Sequence, residues 1–179
     1  MTDLEERLFL LLELVNDWLK FGETKNGGMV VLAGVAGTGL LTYGSGIKDP
    51  TDWDGWTLFL AGFFFTISLS VAVWSFLPKK DAQKIESRLE GIPEDTDNLY
   101  YYGHLAKFRA TDLIEKLCEL HECDPGKATR GERDLAAQII INSRITRSKM
   151  QLFSLASVAF LIGVVTMFIS RVVAVVFYG

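Results

Sequence analysis

Two groups of side chains in this sequence have the types needed for chemistry. The first, Asn98-Leu99-Tyr100-Tyr101-Tyr102-Gly103-His104, sets three phenol rings and an imidazole side by side. The second, Gln138, Asn142 and Arg144, offers two carboxamides one helical turn apart and a guanidinium. Carboxamides read the edge of a base, aromatic rings stack on its face, and a cation takes a phosphate. Ordinary polar contacts between helices use the same residue types, and composition alone does not separate the two readings.

A third group fails on spacing. Cys118, His121 and Cys123, with His104 earlier in the chain, supply soft ligands. Cys118 and His121 share a helix face, but Cys123 follows His121 at an offset that matches no zinc knuckle, so no metal is expected. The chain has no nucleophile elbow, no HExxH, no phosphate-binding loop, no kinase set and no GxGxxG motif, so neither an enzyme nor a resident cofactor is expected. Gly34-Val35-Ala36-Gly37-Thr38-Gly39 is glycine-rich but lies in an apolar stretch, where it reads as helix packing.

The elements that must position these residues are dominated by lipid. The chain has 179 residues, 49% of them hydrophobic, and a mean hydropathy of +0.24, too apolar for an ordinary soluble domain. Three uncharged stretches, Asn26 to Ile47, Gly55 to Pro78 and Met150 to Ser170, each have the roughly 20 residues a helix needs to cross a bilayer. The fold class is therefore an all-α membrane protein: three transmembrane helices with a helical cytoplasmic module between the second and third. The divisions are 1–25, an amphipathic helix; 26–78, a spanning hairpin; 79–149, the module; and 150–179, the last span with its outer tail. Within the spans, Ala33 with Gly37, Gly34 with Thr38 and Ala159 with Gly163 form small-xxx-small pairs that permit close helix contact. No Asp, Glu, Lys, Arg or His lies inside a span, which argues against a proton-coupled pump.

Lysine and arginine set the orientation. The loop Lys48 to Asp54 carries one lysine against three aspartates, whereas Lys79, Lys80, Arg144, Arg147 and Lys149 flank the middle segment, so the loop faces outward and the module inward. The module then lies in a reducing compartment, and Cys118 and Cys123 are expected to be free thiols. The acidic amino terminus does not read as a signal peptide. A net charge of -4 argues against a nucleic-acid partner.

Smaller elements follow from periodicity. Leu4, Leu8, Leu11, Leu12, Val15, Trp18 and Leu19 recur at helical spacing opposite Asp3, Glu6, Glu13 and Asp17, with Thr2 and Glu5 as a capping box. The acidic face favours packing of this helix on protein over lying on lipid. In the module, helices are expected over Asp81 to Leu89, Asn98 to Phe108 and Thr111 to Glu122, the last capped by Thr111 or Asp112. Breaks fall at Gly91-Ile92-Pro93 and Asp124-Pro125-Gly126, and a final helix opens near Gly131 and runs on into the third span.

Glu23-Thr24-Lys25-Asn26 before an apolar span, Asn98 to His104, and Asp134-Leu-Ala-Ala-Gln-Ile-Ile-Ile-Asn142-Ser-Arg144 running into a closing span together resemble the Pycsar transmembrane effectors. Glu23 stands where that pattern has Asp. The resemblance implies antiphage defence: a cyclase makes cCMP, cUMP or another cyclic nucleotide, and the effector responds by impairing the bacterial inner membrane. Three helices enclose no lumen, so a homo-oligomer is expected, with the small-xxx-small pairs as a means of contact. It further implies a ligand site between the Asn98–His104 and Gln138–Arg144 segments, with Tyr101, His104, Asn142 and Arg144 as contacts and Lys25 approaching from the first span. The rival reading is a structural or adaptor membrane protein that docks a cytoplasmic partner through its amino-terminal helix.

The charge argument is directly testable. A topology reporter fused after Gly179 is expected to report the periplasm, and one inserted near Gly126 the cytoplasm; the opposite pattern overturns the orientation.

Overall fold

The computed structural model describes residues 2–46, 52–77, 85 and 91–178. Among them are helices and no strand: α1 (Asp3–Ser45), α2 (Asp52–Trp74), a short α3 (Tyr102–Leu105), α4 (Ala110–His121), a 3-10 turn (Pro125–Lys127) and α5 (Arg130–Tyr178). Three of them, α1, α2 and α5, are long and apolar enough to cross a membrane. The chain divides into two compact units, one from Met1–Gly22 and Pro78–Met150, the other from Glu23–Leu77 and Gln151–Gly179. The chain of α1 and that of α5 each contribute to both. The amphipathic segment and the first span, read from the sequence as separate elements, form a single helix, because nothing from Glu23 to Gly28 removes an amide donor as proline would.

In the first unit, the apolar stripe of α1 is buried on protein, as its acidic opposite face implies. Leu4, Leu8, Leu11 and Val15 join Leu105, Phe108, Leu113, Ile114, Leu117, Ile139 and Ile140 in one core. Thr2 caps α1, its Oγ1 accepting from the Glu5 amide at 3.1 Å. A second capping box, not read from the sequence, opens α5: Thr129 Oγ1 accepts from the Glu132 amide at 3.2 Å, and Glu132 Oε2 accepts from the Thr129 amide at 2.6 Å. The Thr2 hydroxyl donates to the other oxygen of Glu132, so one buried carboxylate ties the starts of two long helices together. The Thr2 bond, then those from Thr129, hold the Glu132 carboxyl below its usual range against the opposing effect of burial.

Three expectations need correction. Only Tyr102–Leu105 of the Asn98 to Phe108 segment is helical, because Asn98 bonds locally: its Oδ1 accepts from the Tyr100 amide at 2.8 Å, closing a turn instead of starting a helix. Helix α4 begins at Ala110, one residue earlier than expected, with Arg109 as its cap in place of Thr111 or Asp112, and Asp112 reaches back to the Arg109 amide at 3.2 Å. Cys118 and Cys123 are not free thiols but a disulfide, with their Cα atoms 4.4 Å apart. Glu122 takes a left-handed conformation, φ 54°, which ends α4 and folds Cys123 back over its last turn. The expected turns do form: Gly91 has φ +138°, and the Asp124 side chain accepts from the Gly126 amide at 2.9 Å. The expected Asp81 to Leu89 helix lies outside the described residues, apart from Ile85.

In the second unit, small residues let the helices approach. Ala33, Ala61, Ala72, Ala156 and Ala159 are buried, while Val31, Val35, Leu41, Phe59 and Phe168 are exposed, the pattern lipid requires. A Cβ on Gly163 would fall 2.6 Å from the Phe65 ring. Ser68 Oγ donates to the Ala156 carbonyl at 2.8 Å, and Thr57 and Ser170 hydroxyls lie 2.9 Å apart. The Arg171 guanidinium stacks on the Tyr43 ring at 4.3 Å.

Gly163→Val is expected to destabilise the protein in detergent by roughly 1–3 kcal/mol through overpacking against Phe65. Gly39→Ala, where an added Cβ meets nothing within 4 Å, is expected not to lower the melting temperature. Thermal unfolding followed by circular dichroism compares the two.

Candidate functional site

The Asn98–His104 segment is braced from below by Asp97. This carboxylate is 3% exposed and takes the Lys107 ammonium at 2.8 Å and the Glu94 amide at 2.8 Å. Burial alone would raise the Asp97 pKa, but the Lys107 bond, the Glu94 amide and the Lys107 charge together hold it below the usual value. His104 Nδ1 lies 3.4 Å from the same carboxylate and accepts from the Asn98 amide at 2.8 Å. As an acceptor, Nδ1 leaves the proton of the neutral ring on Nε2, so His104 offers a donor on its far side.

Above this brace the aromatic rings close into a corner. Tyr101 lies edge-on to His104 at 5.2 Å and against Tyr102 at 4.7 Å. Trp18 of α1 meets Tyr102 at 5.4 Å and Tyr101 at 6.5 Å. Gly103 is required here, since a Cβ would fall 2.5 Å from the Tyr101 ring. Burial, then the hydrogen bond and charge of Tyr101, push the Tyr102 phenol up to about 12, while the Arg147 charge pulls in the other direction. The Trp18 indole N–H is buried without a hydrogen-bond acceptor, an arrangement native proteins seldom leave in place.

The five residues singled out from sequence thus separate. Tyr101 and His104 come together. Asn142 Nδ2 donates to Asn16 Oδ1 at 2.8 Å and its Oδ1 accepts from Gln138 at 2.9 Å, joining α5 to α1. Arg144, only 2% exposed, donates to the carbonyls of Ala106 at 2.9 Å, Phe108 at 2.7 Å and Ile85 at 2.9 Å. The Ala106 and Phe108 carbonyls lie beyond the end of α3, where backbone acceptors run out of amide partners. Lys25 belongs to the other unit, its Nζ 5.1 Å over the Phe153 ring. Sequence reasoning missed Trp18 and Tyr102 as members of the corner; Trp18 sat within the apolar stripe of its helix, and no periodicity distinguishes a core tryptophan from one facing a loop. It also missed Asn16, whose only signal is a carboxamide at the edge of that stripe.

Among the described residues no group of three His, Cys, Asp or Glu side chains is placed to hold a metal ion. The corner has rings, donors and a nearby guanidinium, the equipment of recognition. Residues 7–178 match the family model described as the Pycsar effector protein domain. The chain belongs to the Pycsar effector family. That membership makes it an effector of antiphage defence, in a membrane context and downstream of cyclic-nucleotide signalling from a cyclase. No curated protein and no solved structure matches it.

Arg144→Ala, which leaves three carbonyls without their donor, is expected to lower the stability of the Pycsar effector by about 3 kcal/mol or more. Arg144→Lys, with one nitrogen where the guanidinium has three, is expected to recover only part of it. Asp97 and Glu132 have depressed folded pKa values, so their stabilisation is full above the ordinary carboxylate range and is lost as pH falls through the folded values. Acid unfolding is therefore expected to shift to higher pH in Asp97→Asn, read by the midpoint of a pH titration of circular dichroism.

Proposed function

We propose that this chain is a non-catalytic, ligand-gated effector. It binds a cyclic nucleotide, cCMP or cUMP first among them, at the aromatic corner of Trp18, Tyr101, Tyr102 and His104, and then impairs the integrity of the bacterial inner membrane. The observation that carries this reading is the buried Trp18 N–H without an acceptor, set among rings 4.7 to 6.5 Å apart. A pyrimidine brings a π-face for the rings and two edge acceptors, the O2 and N3 of cytosine or the O2 and O4 of uracil, for the indole N–H and His104 Nε2. Its cyclic phosphate brings one negative charge, which Arg147, already close enough to influence Tyr102, is suited to meet. In this reading Asn142 and Arg144 hold the frame of the site, and their partners are protein atoms.

Gating follows from where these residues sit in the chain. Trp18 belongs to α1 and Arg147 to α5, both of which contain a candidate span. A ligand that binds one arrangement of these helices better than another shifts the population toward it. Three spans enclose no lumen, so the effector acts as a homo-oligomer, with the amino terminus and module inside and Gly179 outside.

Calorimetric titration of detergent-solubilised protein with cCMP, cUMP and cyclic oligonucleotides tests the ligand. Trp18→Ala and Tyr101→Ala are each expected to weaken binding by roughly 1–3 kcal/mol, about five- to a hundredfold, and to lower toxicity in cells making the ligand. Full binding in both variants, with fold and expression intact, places the site elsewhere. Mass photometry with and without ligand is expected to show an oligomer.

A further inference from the structure

Cys118 and Cys123 have no part in the corner, yet their surroundings differ in a way that bears on chemistry. Cys118 is 2% exposed and belongs to the apolar core of the first unit. Cys123 is exposed, beyond the left-handed Glu122, with its amide donating to the Cys118 carbonyl at 3.0 Å. Beside it lies a hollow of about 220 Å³ lined by side chains of both signs, among them Arg7, His121, Lys127, Asp3 and Asp124. A small zwitterionic thiol has matching charges and reaches one sulfur of the pair but not the other.

We propose that Cys118 and Cys123 form a reversible redox-modification site, closed and opened by exchange with a low-molecular-weight thiol of the glutathione class. This rests on the reading that the unit faces a reducing cytoplasm, where a bonded pair is regulatory and not permanent. In the closing direction, the Cys123 thiolate attacks one sulfur of oxidised glutathione and expels one glutathione thiolate. The Cys118 thiol then loses its proton to solvent and attacks the Cys123 sulfur of the mixed disulfide, expelling the second glutathione. The chain gives up two electrons, and the glutathione disulfide takes them. Cys123 is the entry point because it is exposed; Cys118 resolves because its backbone is already held against Cys123. The closed bond fastens the segment leading to Thr129, the residue that caps α5, to the end of α4. Its opening therefore loosens the turn between α4 and α5.

The test uses the full-length protein in detergent, equilibrated over a series of reduced-to-oxidised glutathione ratios, with free thiols trapped by a maleimide and counted by intact mass. Both cysteines are expected to pass together from free at strongly reducing ratios to bonded at oxidising ones. Trypsin is expected to cut after the exposed Lys127 faster in the reduced protein. Cys118→Ala is expected to carry a glutathione adduct on Cys123, whereas Cys123→Ser leaves Cys118 unmodified. A bond that stays closed at strongly reducing ratios, one that never closes, or equal modification of the two single variants overturns the proposal. The titration of purified protein does not depend on which way the unit faces. Its failure is thus distinct from failure of the cytoplasmic reading, which the reporter near Gly126 tests.

Discussion

A guanidinium taken out of water must find hydrogen-bond acceptors on every side that has lost solvent, and Arg144 finds them on the main chain. Its three nitrogens donate to the carbonyls of Ala106, Phe108 and Ile85, so one side chain of α5 fixes the path of the chain on both sides of the aromatic segment. Burial of an unpaired charge costs several kcal/mol, and burial of unpaired carbonyls adds to that; the two penalties cancel only in this geometry. The position of α3, and with it that of Tyr101, Tyr102 and His104, depends on the clamp. The same physics explains Asp97, a nearly buried carboxylate that stays ionised because Lys107 and the Glu94 amide surround it.

The aromatic corner is built on these two charges but uses neither as a contact surface. Arg144 and Asp97 spend their hydrogen bonds on protein, which leaves rings, the Trp18 N–H and the far side of His104 for recognition. A site of this kind is held by packing from several elements: Gly103 admits the Tyr101 ring, Trp18 comes from a helix more than eighty residues away in sequence, and Asn16 pairs with Asn142 to keep α1 beside α5. Membership of the Pycsar effector family gives that arrangement its biological setting.

Glutamate 132 and the Cys118–Cys123 pair show a related economy at the other end of the first unit. One carboxylate accepts from Thr129 and from Thr2 and so caps one long helix while restraining the start of another. The neighbouring disulfide closes the end of α4 a few residues earlier. Both act on the short turn between α4 and α5, where few apolar contacts are available and local bonds must do what a core does elsewhere.

The sequence by itself determined the class of this protein. Three long apolar stretches bounded by charge read as spanning helices, since three are too few to close a barrel and a single stretch of this length satisfies its backbone in hydrocarbon only as a helix. The period of Leu4, Leu8, Leu11 and Val15 marked a face that had to be buried, and the order of short motifs marked the family. What the sequence left open was decided by tertiary structure, because it depends on which groups meet across long separations. An arginine beside a membrane-facing helix reads equally as a phosphate ligand or as a carbonyl clamp until Ala106 and Phe108 are brought against it. Asn98 favours a local turn over a helix only when His104 is there to accept its amide. Two cysteines five residues apart read as separate thiols until the left-handed turn at Glu122 folds one back upon the other.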